Sequence, residues 1–216
     1  MPALSDTESG RPRQRRKDAR PSEVLAAALD LFVEKGFAAT RLDDIAARAG
    51  VSKGTLYLYF DSKAALLKAV VEDGMVPVLE QGENIIANFT GTTSELLRHM
   101  LLTWWSLVGE SRLSGICKLM VGEASNFPEI AAYYHDTVIV RGQGLVRRAL
   151  EIGIAKGEFR KVDVEVAMFS IFAPLLELML WRHSFADCCD TQRDPKPYLE
   201  THLDIVLNGV LAKAKQ

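Results

Sequence analysis

The sequence TRLDDIAARAGVSKGTLYLYFDSK, residues 40–63, decides the fold of this chain. Apolar residues recur at helical spacing on both sides of Gly50, which predicts two short helices joined by a glycine turn. Thr40 and Ser52 are each suitable N-caps, and Asp43 lies in capping-box position after Thr40. Gly50 can adopt the left-handed conformation that ends a helix at little cost. The segment therefore predicts a helix-turn-helix.

The second predicted helix presents a row of hydrogen-bond donors. Leu56 and Phe60, four residues apart, are expected to face the interior. The side chains left outside are Lys53, Thr55, Tyr57 and Tyr59. Phosphates and base edges both accept from such donors, and Gly54 would let the helix N-terminus approach a phosphate closely. The row predicts a DNA-reading helix, and the alternative is an ordinary solvated helical face.

Four residues at the edges of the motif complete the predicted DNA-binding set: Thr40, Arg41, Ser52 and Lys63. Lys63 opens the following helix and is expected to reach the DNA backbone. Arg41 either contacts a phosphate or base at the start of the first motif helix or is a solvated arginine.

Residues 22–63 resemble the DNA-binding domain of TetR-family transcriptional regulators. The resemblance rests on a dense set of positions: Val24, Leu25, Ala27, Ala28, Leu31, Phe32, Gly36, Phe37, Thr40, Ile45, Ala46, Gly50, Val51, Ser52, Gly54, Leu56, Tyr57, Tyr59, Phe60 and Lys63. Arg41 departs from the family, which more often has a small hydroxyl residue there. The resemblance implies a dimer on a palindromic operator, released by a small-molecule effector. Repression is the common outcome in the family, and activation remains open.

Basic residues are concentrated before the first predicted helix. Residues 10–63 contain eleven Lys and Arg against seven Asp and Glu, although the whole chain has a net charge of −2. Six of the basic residues, including Arg15 and Arg16, lie between Arg11 and Arg20. We expect residues 1–20 to be a flexible basic arm that contacts DNA, the alternative being a solubilising tail.

The composition is that of an ordinary globular intracellular protein, with 48% hydrophobic and 25% charged residues. The most apolar stretch, residues 162–181, is broken by Asp163, Glu165, Ser170 and Glu177, so no membrane partner is expected. A cytoplasmic, nucleoid-associated location follows. The three cysteines include the adjacent Cys188 and Cys189, which lack the separated pairs of a zinc site. No metal or cofactor is therefore predicted, although the role of this pair stays open.

Beyond residue 63 the periodicity is helical throughout. The fold prediction is all-α with about nine helices: a three-helix head at residues 21–63 and a larger helical domain at residues 64–216. Pro77 is expected to kink or interrupt the helix that starts at Lys63. Pro195 and Pro197 are assigned to a loop before a last helix from Tyr198 to Lys213. The head is expected to pack on the helix that starts at Lys63, which would carry a signal to it.

The penultimate helix is apolar on nearly all sides, so one face is expected to meet a second subunit. Together with the last helix it predicts a four-helix homodimer interface formed by Phe169, Leu176, Leu178, Trp181, Leu199, Leu203, Val206 and Val210. The candidate lining of an effector pocket is Met100, Trp104, Met120, Phe127, Tyr134, Met168 and Phe172. Each of these also fits an ordinary core position. Methionine and aromatic linings favour an apolar or flat ligand.

An enzyme is not predicted, because the chain has no nucleophile elbow, phosphate loop or dinucleotide fingerprint. A second class of DNA-binding protein stays open, namely an architectural protein that uses the same head without an effector. Such a protein would bind many sites, whereas a regulator would protect one palindrome near a promoter.

Overall fold

The computed structural model describes residues 15–186, 188 and 194–211, with side chains described from Pro21 onward. Within this part the chain forms ten α-helices, which are α1 (Arg15–Ala39), α2 (Leu42–Arg48), α3 (Lys53–Tyr57), α4 (Lys63–Asn88), α5 (Thr93–Trp104), α6 (Ser114–Glu123), α7 (Pro128–Tyr134), α8 (Val140–Ala155), α9 (Val164–Ser184) and α10 (Pro195–Val210). The described residues contain no β-strand, only an isolated bridge between Phe159 and Leu211. The all-α prediction is confirmed.

Two wide π-helical turns extend these helices. The first, Trp105–Gly109, continues α5, and the second, His135–Ile139, joins α7 directly to α8. Residues 128–155 therefore form one continuous helical segment. When helices that join without a break are counted as one, the described residues contain nine helices.

Pro77 does not interrupt its helix, and Pro195 and Pro197 do not lie in the predicted loop. The helix α4 runs across Pro77 without a break, because a proline removes a single backbone hydrogen bond and buried residues on both sides, from Leu66 to Leu79, hold the helix against the core. Pro195 begins α10, where its missing N–H needs no partner, and Asp194 caps this helix by accepting from the amide of Lys196 at 3.0 Å.

The first three helices enclose a small core. Phe32 from α1, Ile45 from α2 and Leu56 from α3 are fully buried. Gly50 makes the turn between α2 and α3 with a φ of 66°, as predicted. Ser52 caps α3 by accepting from the amide of Thr55 at 3.0 Å, which confirms the second predicted cap.

The predicted cap at Thr40 was wrong. Its side chain is buried, and its hydroxyl donates to the carbonyl oxygens of Leu31, at 3.0 Å, and Gly36, at 2.7 Å. Thr40 therefore closes the end of α1. Arg41 occupies the N-cap position of α2 and makes no side-chain capping bond. The reason is tertiary, since Gly36 leaves the helical conformation, with a φ of 80°, and turns its carbonyl toward Thr40.

The helix α1 packs against α4, which confirms the predicted contact of the head, and also against α6. At one end of α6, Arg112 pairs with Asp30 and donates to the carbonyl oxygen of Ala26. In the first turn of α6, Gly115 lies so close to Val33 that a Cβ on this glycine would approach the Val33 side chain to 2.4 Å. The missing side chain at Gly115 therefore sets the distance between the two helices.

The turn glycine gives a stability test. Gly50→Ala should lower the free energy of unfolding by about 1 kcal/mol, because alanine is strained at positive φ. Gly122→Ala, in α6, should raise it by about 0.5 kcal/mol, because Gly122 is helical with open space around it. Urea unfolding followed by circular dichroism measures both. Equal effects of the two substitutions would contradict the role assigned to the turn.

A candidate DNA-binding face and an apolar cavity

The candidate DNA face lies on α3 and the turn after it. Lys53, Tyr57 and Tyr59 are exposed, so the donors predicted to face outward do so. Thr55 is half-buried, and its hydroxyl is 2.8 Å from that of Ser52. These two hydroxyls therefore serve the cap of α3. We propose that the hydroxyls of Ser52 and Thr55 contact DNA only through a lone pair or proton that the cap does not use.

Sequence reasoning missed Leu58, which is 83% exposed beside the two tyrosines. The short α3 ends at Tyr57, and the next residue, Leu58, projects into solvent. A side chain of this kind suits the methyl group of thymine in the major groove. Arg41 is exposed beside α3. The side chains of Arg15 and Arg16 lie outside the described residues.

Lys53 is held by an acidic neighbour. Its Nζ is 2.8 Å from a carboxylate oxygen of Asp43 and 5.9 Å from the ring centre of Tyr57. The bond from Lys53 lowers the pKa of Asp43, and the same bond raises the pKa of Lys53. Asp43, expected to complete a capping box, thus pairs with the lysine of the next helix. A phosphate must compete with it for Lys53.

Lys63 was predicted to contact the DNA backbone, but in the structure it binds carbonyl groups of the protein itself. Its Nζ donates to the carbonyl oxygens of Phe37, Ala38 and Thr40, at 2.6, 2.9 and 2.9 Å. An ammonium has three donors, so all are used inside the protein. Burial lowers the pKa of Lys63. The first residue of α4 therefore caps the end of α1.

An apolar cavity of about 270 Å³ lies in the bundle beyond the head. Its wall comes from α4 to α9 and consists of Met75, Trp104, Cys117, Val121, Tyr134, Val138, Ile139, Gly142, Gln143, Val146, Met168, Phe169, Phe172, Ala173 and Leu176. A second space of about 80 Å³ adjoins it and is lined in part by Met100. Trp104 and Phe172 border both spaces, with their rings edge to face at 4.7 Å between centres.

The wall of the larger space contains no Asp, Glu, Lys, Arg or His among the described residues. Tyr134 and Cys117 share a hydrogen bond of 3.4 Å. Burial raises the pKa of both groups, so both are neutral at physiological pH. The side-chain amide of Gln143 makes no hydrogen bond within the part of the chain that the structure describes. The cavity is therefore uncharged, with an amide and a phenol as its polar groups.

Five of the seven predicted pocket residues line these two spaces, namely Met100, Trp104, Tyr134, Met168 and Phe172. Met120 and Phe127 do not. Met120 is buried, and Phe127 packs edge to face on Phe37 of the head, at 4.6 Å between ring centres. Periodicity identifies an inward side chain without saying whether it borders a space or another side chain.

The outer side of the bundle carries exposed apolar residues on α9 and α10. The helix α9 is long and apolar enough to cross a membrane by length and composition, which core helices also satisfy, and 28% of its most apolar stretch is buried. Val166, Phe169 and Ile205 are 62%, 59% and 65% exposed. An open groove of about 370 Å³ separates the two helices at this face.

Four of the eight predicted interface residues lie in the core of the subunit and were wrongly assigned: Leu178, Leu199, Leu203 and Val210. They fill the contact between α9, α10 and the rest of the bundle. Phe169 is exposed, and Leu176, Trp181 and Val206 are half-buried. Because α9 is apolar on all sides, its sequence predicts that two of its faces are covered. The sequence does not distinguish the face that packs inside the subunit from the face that lies at the surface.

A three-helix unit with this turn geometry and an exposed basic and aromatic α3 defines a helix-turn-helix DNA-binding protein. Residues 24–70 match the family described as bacterial regulatory proteins, tetR family, and residues 95–199 match the C-terminal domain of AefR-like transcriptional repressors. The HTH-type regulator YdeS of Bacillus subtilis is 31% identical over 79% of this chain and 82% of its own. The chain belongs to the TetR family of bacterial transcriptional regulators.

Solved structures share the fold. FadR of Bacillus subtilis, solved in complex with stearoyl-CoA, aligns with a TM-score of 0.69 at 23% identity, over 87% of this chain and 98% of that one. SmeT, the repressor of the Stenotrophomonas maltophilia efflux pump SmeDEF, aligns with a TM-score of 0.71 at 24% identity, over 90% of this chain and 91% of that one.

The ion pair on the DNA face gives a salt-dependence test. Asp43→Asn frees Lys53 for a phosphate, so the slope of log affinity against log salt for a random-sequence duplex should steepen by about 0.9. Asp44→Asn is the matched control, because it removes the same charge from the same helix but releases Lys35 instead. Fluorescence anisotropy measures both slopes. Identical slopes would show that Lys53 does not reach a phosphate.

Proposed function

We propose that this protein is a repressor that binds a palindromic operator as a homodimer and is released by a small, uncharged effector. The observation that carries the proposal is the position of α6, which contacts the head on one side and lines the apolar cavity on the other. The unit that reads DNA is assigned to residues 21–63, and the unit that binds the effector and forms the dimer to residues 64–216.

The proposal of a homodimer follows from the small size of the DNA-binding face. Its reading helix has five residues, Lys53–Tyr57, and helix-turn-helix proteins of this type gain affinity by placing two such helices in successive major grooves. A two-fold dimer presents them to a palindrome. The exposed apolar face of α9 and α10 supports this arrangement, since an apolar helix face needs a cover.

The effector is proposed to be compact and apolar. The cavity is close to the lower end of the range of about 300–1,000 Å³ for ligand pockets, and an uncharged wall does not favour an ionic ligand. FadR of Bacillus subtilis was solved with an acyl-CoA. A long acyl chain would require the Trp104–Phe172 pair to separate and join the two spaces, whereas an aromatic molecule the size of the larger space needs no such change.

Release is proposed to pass through α6. Gly115 and Glu123 face α1, and Cys117 and Val121 face the cavity. A ligand that displaces the cavity side of α6 therefore pushes on the helix that holds the head. At the end of α6, Glu123 accepts a hydrogen bond from the amide of Phe37 at 3.2 Å. Coupling free energies of this kind are about 1–3 kcal/mol.

The reading residues are tested with an operator selected from genomic fragments. Lys53→Ala with Tyr57→Ala should weaken operator binding at least about 1,000-fold, to the level of non-specific duplex, because both donors are lost. Lys68→Ala with Tyr133→Ala is the matched control, since it removes the same cation–aromatic pair from the body. Gel-shift titration measures the affinities.

Two outcomes oppose the proposal. Operator affinity within twofold of the wild type in the first double variant would exclude this face as the reader. Recovery of many unrelated fragments in place of one palindrome would indicate an architectural DNA-binding protein instead of a repressor.

The link from α6 to the head is tested by hydrogen exchange. Glu123→Ala should speed exchange of the Phe37 amide at least about tenfold, because a hydrogen bond to a charged group contributes about 1.5–3 kcal/mol. Glu129→Ala, which removes an exposed carboxylate from the first turn of α7, is the control. Residue-resolved exchange by nuclear magnetic resonance measures both. Unchanged protection in Glu123→Ala would mean that this bond does not hold the head.

A further inference from the structure

A groove of about 360 Å³ lies where the head meets the larger helical domain, and it shares no lining residue with the cavity described above. Its walls are α1, α4 and the segment 107–113 that precedes α6. Five large apolar side chains line it: Leu25, Leu29, Val70, Leu107 and Leu113. All of these except Val70 are only half-buried, so the groove has an apolar surface that solvent reaches.

The charged side chains that line this groove, among the described residues, are Asp73 and Arg112. The guanidinium of Arg112 pairs with Asp30 and donates to the carbonyl oxygen of Ala26, so its charge is balanced within the protein. Asp73 is exposed, and its carboxylate makes no hydrogen bond or ion pair with any residue that the structure describes. Asp73 therefore places one uncompensated negative charge beside the apolar surface.

An apolar recess with a single unpaired carboxylate is complementary to an amphipathic cation. The apolar part of such a molecule is stabilised by leaving water for the leucine side chains, and its ammonium group is attracted to the carboxylate of Asp73. An anion would be repelled by the same carboxylate, and an uncharged molecule would gain nothing from its charge. The volume of the groove lies within the range of about 300–1,000 Å³ for ligand pockets.

We propose that this groove is a second ligand site, which binds a small amphipathic cation with its apolar part between the leucines of α1 and those of residues 107–113 and its ammonium group against Asp73. The site selects a chemistry that the uncharged cavity does not, and it depends neither on the proposed effector nor on the operator. One wall belongs to the head and the others belong to the larger domain, so a bound ligand contacts both units. Binding is therefore linked to any change in their spacing.

Three probes with the same aromatic ring test the proposed chemistry on the full chain without DNA. Naphthylmethylamine is a cation at neutral pH, naphthalenemethanol is uncharged and naphthylacetate is an anion. A nuclear magnetic resonance titration follows the amide shifts of Leu25 and Leu113, which line the groove, and of Val138, which lines the cavity. Each site thus gives its own dissociation constant. The amine should bind the groove at least about threefold more tightly than the alcohol, and the anion should bind it more weakly than either.

Two variants, each with a matched control, test the residues. Asp73→Asn keeps the shape of the groove and should weaken the binding of the amine at least about threefold without changing that of the alcohol. Glu80→Gln is its control, because Glu80 is an exposed carboxylate of the same helix that does not line the groove.

Ala26→Leu should abolish the groove shifts, because Ala26 is an exposed residue of α1 that lines the groove and a larger side chain there fills it. Ala132→Leu, at an exposed position of α7 outside the groove, is its control. All four substitutions are at exposed positions, so each protein is expected to fold, and circular dichroism checks this.

Several results would overturn the proposal. Equal groove affinities for the amine and the alcohol, or an Asp73→Asn protein that binds the amine as the wild type does, would show that Asp73 selects no cation. Shifts at Val138 without shifts at Leu25 or Leu113 would place the probes in the cavity and leave the groove empty. Tightest binding of naphthylacetate would assign the groove to Arg112 and an anion. Each of these results leaves the proposed repressor and its uncharged effector intact.

Discussion

The junction at the end of α1 is the contact on which the position of the DNA face depends. There the ammonium of Lys63 donates to three carbonyl oxygens, and the carboxylate of Glu123 accepts from the amide of Phe37. The ring of Phe37 lies 4.6 Å from the Lys63 ammonium. Hydrogen bonds to charged groups contribute about 1.5–3 kcal/mol each, so α1, α4 and α6 are held together at one point.

This junction connects the two candidate sites by a short route. The head moves with α1, and α1 is held along the length of α6 by Arg112, Gly115 and Glu123. The opposite side of α6 forms part of the cavity wall. Close packing at Gly115 leaves little room for compression, so a shift of α6 is more readily passed to α1 than absorbed between them.

The shape of the same cavity also depends on the outer face of α9. Phe169 and Ala173 belong at once to the cavity and to the surface proposed to meet the partner. In such an arrangement the spacing of the two heads and the shape of the effector site are changed together. Dimer formation and the response to the effector would then both depend on α9, because both of its faces are apolar.

The sequence alone determined the helix-turn-helix, the sequence of helical rods and the uncharged, aromatic character of the cavity wall. These follow from local rules: caps at Ser52, a left-handed glycine at Gly50 and apolar residues at helical spacing. Tertiary structure alone decided that Lys63 and Thr40 serve the end of α1, that Phe127 packs on the head, and that Leu178 is core while Phe169 is surface. The physical reason is that periodicity specifies which face of a helix is apolar, whereas the partner of that face depends on how distant segments meet.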